Sequence, residues 1–438
     1  MKTSLEEISP VKKKLIIEVE AEEVDKKLDK AYSRLGKKAK IRGFRPGKVP
    51  RKILERYFGD QVVEDVARNL VTETLPKAVE ETQTYPLSMP MVENETLRVG
   101  QNFKYAAIME VKPIFELKDY EGIEVEREML SVTDEDVDKQ LEEIRKANGQ
   151  LKPVGEDRGV QEDDYVVLEY EGFEGGKPLD GIKADNFLLR VGSDEFHPEF
   201  EKRLVGLKVG DNTEIEVDFE ENTFHNKLAG KSVHFKVKVS GIKLMELPEL
   251  NDEFAASLGA DFSDLETLKK KIKEDLTTKE EKRIDAELKE RLLKKISETV
   301  SFELPESLVD TEIRYGIENV KQNLIRIGSS IEKAGLTEEK LKEDLRPASE
   351  KRVKDLLILG EIAKQNDLNI NESELSEGFS EMAEKSGQDP QVLRRYYEAK
   401  QLVDAFRERL LEEKTLNYLV KAAKIKEVAA AQMNRERG

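Results

Sequence analysis

The spacing of apolar side chains divides the chain into stretches of different period. Leu15, Ile17 and Val19 alternate with Lys14, Glu18 and Glu20, which predicts a strand. Val24, Leu28, Ala31 and Leu35 then recur at helical steps, and Arg34, Lys37, Lys38 and Lys40 fill the last turn and the loop beyond it. Pro50 suits the first turn of a second helix, Arg51 to Phe58. Gly59 is expected to stop that helix before a longer one runs from Asp60 to Thr82. Strands are expected near Leu87–Val92 and Phe103–Val111, the second with Phe103, Tyr105, Ala107, Met109 and Val111 on one face. Residues 1–115 therefore read as one α+β domain.

Residues 116–150 read as a connector. Thr133-Asp134-Glu135-Asp136 is a helix cap with an acidic first turn, Val137, Leu141 and Ile144 follow at helical spacing, and Asn148-Gly149 ends the helix. Residues 151–245 return to alternation, with faces formed by Val166, Leu168 and Tyr170, by Phe187, Leu189 and Val191, by Ile215, Val217 and Phe219, and by Val233, Phe235, Val237 and Val239. Turns at Glu174-Gly175-Gly176-Lys177, Val209-Gly210-Asp211-Asn212 and Ala229-Gly230-Lys231 separate them, which predicts an antiparallel β domain. Residues 246–438 are helical. Pro248 marks the exit from the β domain, Ser263-Asp264-Leu265-Glu266 caps a charged helix reaching Thr299, Pro305 opens another, and Asp389-Pro390 opens a short one. Stripes at Leu308, Ile313, Ile317, Val320, Leu324 and Ile327, at Val353, Leu356, Leu359 and Ile362, and at Phe406, Leu410 and Tyr418 are narrow. The plain reading is bundle core, but such helices in an extended array also leave apolar side chains facing a cleft, and patches of that kind bind partners. The stretch from Val428 to Gly438 is expected to fray.

Composition narrows the chemistry. A chain of 438 residues is too long for one core and suggests about three domains. It has no Cys and three His without HxxH or HxxxH spacing, so disulfides and a zinc site are not expected. No cofactor is expected, no N-terminal apolar run suggests a signal peptide, and no stretch approaches 18 apolar residues, so a cytoplasmic protein without a membrane span is the expectation. Charged residues make up 38% and aromatics 6%, which fits long solvated helices better than an enzyme with a large core.

One segment reverses the charge. Between Arg34 and Arg56 lie ten Lys/Arg and one acid, Glu55, a local +9 in a chain of −18 that leaves −27 elsewhere. Gly43, Pro46, Gly47 and Pro50 make its centre a loop, with Phe44 as an apolar anchor among cations. A solvated basic turn is the bland reading. A phosphate-cradling loop fails on spacing, because three residues separate Gly43 from Gly47 and Val49 follows Lys48 where Ser or Thr is required. The third reading is a docking loop that places cations on phosphates and buries Phe44 against a partner.

Gly-Phe-Arg-x-Gly-x-x-Pro, met here at Gly43, Phe44, Arg45, Gly47 and Pro50 with Lys48 inside it, resembles the ribosome-binding signature of the bacterial trigger factor family. The resemblance extends over essentially the whole chain and favours docking. Within 151–245 no nucleophile–base–acid set is visible, and the aromatic residues resemble the FK506-binding-protein (FKBP) class of peptidyl-prolyl isomerase. Tyr170 in Leu168-Glu169-Tyr170-Glu171-Gly172 matches that class's first-strand Tyr, and Leu179-Asp180 stands where it has Phe-Asp. Phe187 fits the strand before Gly192, and Phe196, His197 and Phe200 match the helix at the pocket floor. Phe224-His225 resembles the aromatic-His loop, and Phe235 the last-strand Phe. Three departures stand out: Leu179 replaces an aromatic, Glu199 puts a charge before Phe200, and residues 219–225 lack a Pro and displace the aromatic-His pair.

The resemblance implies an α+β multidomain protein with an N-terminal α+β ribosome-docking domain over 1–115, a linker over 116–150 packed along the C-terminal domain, an FKBP-like antiparallel β isomerase domain over 151–245, and an extended all-α client-binding domain over 246–438. Its implied partners are ribosomal protein and rRNA near the tunnel exit, together with nascent and unfolded polypeptides. Nucleotide is not needed, and dimerisation of the free protein stays open. Tyr170, Phe187, Phe196, Phe200, Phe224, His225 and Phe235 are the candidate isomerase residues. Ile317, Val320, Leu324, Ile327, Leu356 and Tyr397 are the candidate client-facing ones. The rivals are a prolyl isomerase with accessory helical domains and a helical scaffold; neither explains the basic loop.

Overall fold

The computed structural model describes residues 1–41, 44, 48–94, 96–155, 157–220 and 228–429. The chain forms two compact units, one of residues 1–128 and 285–438, the other of 129–284.

The first unit opens with β1 (Lys2–Ser9), β2 (Lys12–Val19), α1 (Ala21–Lys38), α2 (Arg51–Thr82), β3 (Met91–Asn94) and β4 (Phe103–Glu110). The strands make an antiparallel sheet in the order β1-β2-β4-β3. Its inner face, Leu15, Ile17, Val19, Phe103, Tyr105 and Ala107, buries Val24 and Leu28 of α1 and Val62, Val66 and Leu70 of α2. Two expectations change here. Gly59 does not stop a helix: α2 is continuous through it. A mid-helix Gly costs only about 1 kcal/mol relative to Ala, and burial of Leu54 before it and Val62 after it holds both halves on one axis. The strand β1 was not expected, because its mostly exposed edge position asks for no apolar alternation. A fifth strand, β5 (Glu124–Glu128), lies in the connector.

The second unit begins with α3 (Asp134–Ala147), whose Thr133 and Asp136 form a reciprocal capping box. Five antiparallel strands follow: β6 (Gln150–Pro153), β7 (Tyr165–Glu174), β8 (Lys177–Arg190), β9 (Asn212–Asp218) and β10 (Ser232–Glu246), with α4 (Pro198–Leu204) between β8 and β9. β10 pairs with β7 on one side and with β6 and β9 on the other, and β8 pairs with β7. The four predicted faces meet in one core containing Val166, Leu168, Leu189, Val217, Val233 and Phe235. Next come α5 (Asp252–Leu258) and α6 (Leu265–Thr299). The cap of α6 is Asp264, which accepts from Thr267 N–H at 2.7 Å. Val137 and Leu141 of α3 share a core with Phe254, Leu268 and Ile272.

The remainder of the first unit is the end of α6 with α7 (Glu306–Arg326), α8 (Glu338–Gln365), α9 (Glu372–Ser386), α10 (Pro390–Ala399), α11 (Val403–Ala422) and β11 (Lys424–Val428). Leu117 and Val125 of the connector sit in a core with Leu288, Leu292, Ile358, Ile362 and Leu419. Val428, expected to begin a fraying tail, is instead buried at the end of β11, which pairs in parallel with β5. The outward carbonyls of β5 are also taken: Arg291 Nη1 donates to Glu126 O at 2.9 Å and Lys295 Nζ to Glu124 O at 2.8 Å. Beyond residue 429 the chain lies outside the described residues.

Candidate functional site

The aromatic residues of the second unit converge. Phe196 is their hub, with ring centroids 5.4 Å from Tyr170, 5.7 Å from Phe187, 4.4 Å from Phe200 and 5.5 Å from Phe235. Tyr170 meets Phe187 edge-on at 5.4 Å, and Phe200 meets Phe235 at 5.4 Å. All but the tilted Phe196–Phe200 pair are edge-to-face contacts that set ring edges against ring faces and form an apolar wall. Phe200 and Phe235 are buried, whereas Tyr170, Phe187 and Phe196 are partly exposed and line the open side. Burial pushes the Tyr170 phenol above its ordinary range, so it stays a neutral hydroxyl.

Local sequence explains the placement. Gly172 lies opposite Phe235 in the β7–β10 register, and a Cβ there would fall 3.2 Å from the Phe235 ring and 2.7 Å from Ile182, so only glycine lets the ring approach the strand. His197 caps α4 rather than lying on it: its Nδ1 accepts from Glu199 N–H at 3.3 Å, and Pro198 occupies the first helical position. Phe196 likewise precedes the helix. Glu199 is exposed, so its charge reaches solvent, and Leu179 packs partly buried at the edge of the core. Phe224 and His225 lie outside the described residues. One aromatic was not singled out from sequence: Phe219 is buried and its ring lies 5.3 Å from His197 and 6.2 Å from Phe235. The β alternation marked it as core but could not show which neighbours it meets.

At the basic segment, Gly43, Arg45 and Gly47 lie outside the described residues. Phe44 is 39% exposed, Lys48 is exposed, and Pro50 caps α2. Arg51 is spent within the fold: it pairs with Asp29 and Glu55 and its guanidinium stacks 5.1 Å from the Tyr32 ring centroid. Arg34, Lys37, Lys38, Lys40, Lys48, Lys52 and Arg56 are exposed and have no acidic partner among the described residues.

The six client candidates separate. Ile317 is buried in a core with Val309, Ile313 and Val353, and Val320 and Leu324 pack partly against it. Its side chain is therefore closed to a client. Ile327 is 76% exposed at the end of α7. Tyr397 leans on Phe379 and Phe406 at 5.5 and 5.6 Å. Leu356 lines a groove of ≈ 490 Å³ with Leu87, Leu308, Tyr315, Leu357 and Leu411, rimmed by Lys112, Glu312, Glu408 and Glu412.

Comparison with known proteins accounts for both ends of this arrangement. The profile of the bacterial trigger factor protein matches residues 1–144 and that of its C-terminus residues 264–421. The trigger factor of Geotalea daltonii is 38% identical, covering 99% of this chain and 100% of that protein. The chain belongs to the trigger factor family. The trigger factor of Halalkalibacterium halodurans is 36% identical over 94% of the chain and 96% of its own length. A solved structure of the trigger factor chaperone, described by its promiscuous substrate recognition in folding and assembly, has the same fold at a TM-score of 0.50 and 24% identity, covering 96% of this chain and 99% of that one. Residues 156–240 of this trigger factor family member match the FKBP-type peptidyl-prolyl cis–trans isomerase, so the converging aromatics belong to an isomerase domain. Among the described residues no helix is long and apolar enough to cross a membrane.

Proposed function

We propose that this chain docks on the ribosome through the end of the N-terminal domain that carries Phe44, receives unfolded segments on its C-terminal helices without nucleotide, and accelerates X–Pro isomerisation in the second unit. The observation that carries the docking is the set of unpartnered cations on either side of Phe44 in the chain. Their density sets them apart, ten Lys/Arg to one acid between Arg34 and Arg56, whereas elsewhere acids and bases interleave and many pair, as in Lys26–Glu22, Lys321–Glu338 and Arg394–Glu372. The first turn of α2 holds Arg51 and Lys52 and no acid, against the preference of a helix N-terminus for negative charge. Arg51 is neutralised by Asp29 and Glu55, but Lys52 stays free there, which costs helix stability and suits a phosphate backbone. The natural partners are rRNA and protein near the tunnel exit, in the cytoplasm.

The division of labour follows: residues 1–115 dock, 116–150 connect, 151–245 isomerise and 246–438 hold clients. Shared cores of the connector with α6, α8 and α11 support treating 116–150 as part of the C-terminal frame. The groove beside Leu356 and Tyr315 is the client surface this reading favours, in place of the buried Ile317. For isomerisation the aromatic wall of Tyr170, Phe187, Phe196, Phe200 and Phe235 suffices without acid or base. An X–Pro bond isomerises over a barrier of about 18–20 kcal/mol through a twisted amide that has lost resonance. A rigid apolar wall that holds the prolyl ring and fits the twisted form better than the planar one lowers that barrier.

The test is cosedimentation with ribosomes across a salt series. Lys52→Glu with Arg56→Glu lies outside the signature loop and outside the core. Each phosphate contact contributes about 0.7–0.9 to the slope of log affinity against log salt, so the double variant should bind more weakly and with a shallower slope. Unchanged affinity and slope would overturn the docking surface.

A further inference from the structure

Glu201 follows Phe200 on α4 and is 1% exposed, inside a core of apolar side chains. Its carboxylate meets no cation among the described residues. Instead it accepts three backbone N–H bonds: Oε2 from Gly192 at 2.9 Å and from Asp194 at 3.0 Å, and Oε1 from Phe196 at 3.1 Å. A buried carboxylate is tolerated when hydrogen bonds satisfy its charged form, and bonds to a charged acceptor are the strong ones.

The three donors lie on the loop between β8 and α4. That loop turns through two left-handed residues, Gly192 at φ +88° and Asp194 at φ +58°, so its N–H groups point inward where no strand can take them. A cavity of ≈ 580 Å³ bordered by Glu162, Asp194, Pro198 and Val205 lies against the loop. The hydrogen bonds to Glu201 tie the loop to α4. The last of them holds the nitrogen of Phe196, one bond from the Cα that carries the hub ring.

We propose that Glu201 is a positioning residue for the isomerase, fixing the Phe196 backbone so that its ring forms the pocket wall. The proposal rests on the reading that Phe196 lines the prolyl site. Its rival is a purely structural role in which Glu201 stabilises the domain and nothing more.

Glu201→Gln separates the two. Its single carbonyl oxygen can serve Gly192 and Asp194, but its amide NH₂ then confronts the Phe196 N–H, donor against donor. The loop stays and Phe196 loses its tether. In the full-length chain, kcat for an X–Pro peptide with an apolar residue before Pro should fall about tenfold, with KM little changed. In a Phe196→Ala background the same substitution should have no further effect, because Glu201 acts through the missing ring. Equal losses in both backgrounds, or full activity in Glu201→Gln, overturn the proposal. Full activity in Phe196→Ala alone overturns the pocket reading instead. Should Glu201→Gln fail to fold, hydrogen exchange on the wild-type chain decides: amides of Gly192, Asp194 and Phe196 should be protected although the loop is largely exposed, and exchange at open-loop rates would overturn the tether.

Discussion

Phe196→Ala tests the aromatic wall most directly. A fully buried Phe→Ala change costs about 3–5 kcal/mol. Phe196 is only partly buried, so the domain should lose roughly half of that, ~2 kcal/mol, and stay folded. The ring also matters for catalysis, because it meets four others and forms the open side of the wall. If the prolyl ring of the twisted amide loses contact worth ~2 kcal/mol, kcat/KM falls about 30-fold. Phe200→Ala is a poorer probe. Phe200 is fully buried, so lost activity there would not distinguish a missing wall from a loosened core. The assay is a proline-limited refolding reaction or an X–Pro peptide, with far-UV circular dichroism melting to confirm the fold. Phe196→Ala that stays folded at the assay temperature and keeps more than half its activity would refute the pocket. Ribosome cosedimentation of this variant should be unchanged, since docking rests on the other unit.

Tyr315 is 65% exposed at the groove, so Tyr315→Asp should reduce suppression of client aggregation while moving stability by no more than about 0.5 kcal/mol; undiminished suppression removes the groove from the client surface. Burial raises the Asp355 carboxyl above its ordinary range against the pull of Lys351, Arg352 and Lys354, and its Oδ1 has no partner among the described residues. A raised folded-state pKa means that the acid's contribution is fully present below the ordinary Asp value of about 3.9 and is lost as pH rises through the folded value. Asp355→Asn, neutral throughout, should therefore be more stable than the wild type at pH 7 by about 1 kcal/mol, with the gap closing toward pH 4; a gap in thermal midpoint that is constant with pH would refute this account.

The elements that depend on local period were legible from the chain alone. The 1,3 alternation of Leu15, Ile17 and Val19, and of Val233 through Val239, requires one buried face whatever the partner, and both runs are buried strands. Caps were equally local: Thr133 needs only Asp136 three residues on, and Asp389 needs only Pro390 and the next turn. The family was legible because its docking signature and its isomerase aromatics are short and specific in type and order. Tertiary structure decided what depends on residues far apart. Gly59 reads as a stop, yet burial on both sides carries α2 through it. Val428 reads as a tail, yet β5, some 300 residues earlier, offers a free strand edge. Ile317 and Leu356 read alike on striped helices, but one is enclosed by its own bundle and the other faces a groove. Glu201 reads as one more surface acid in a charged chain. Only the doubling back of residues 192–196 over α4 turns it inward, where three amides replace the water that its charge requires.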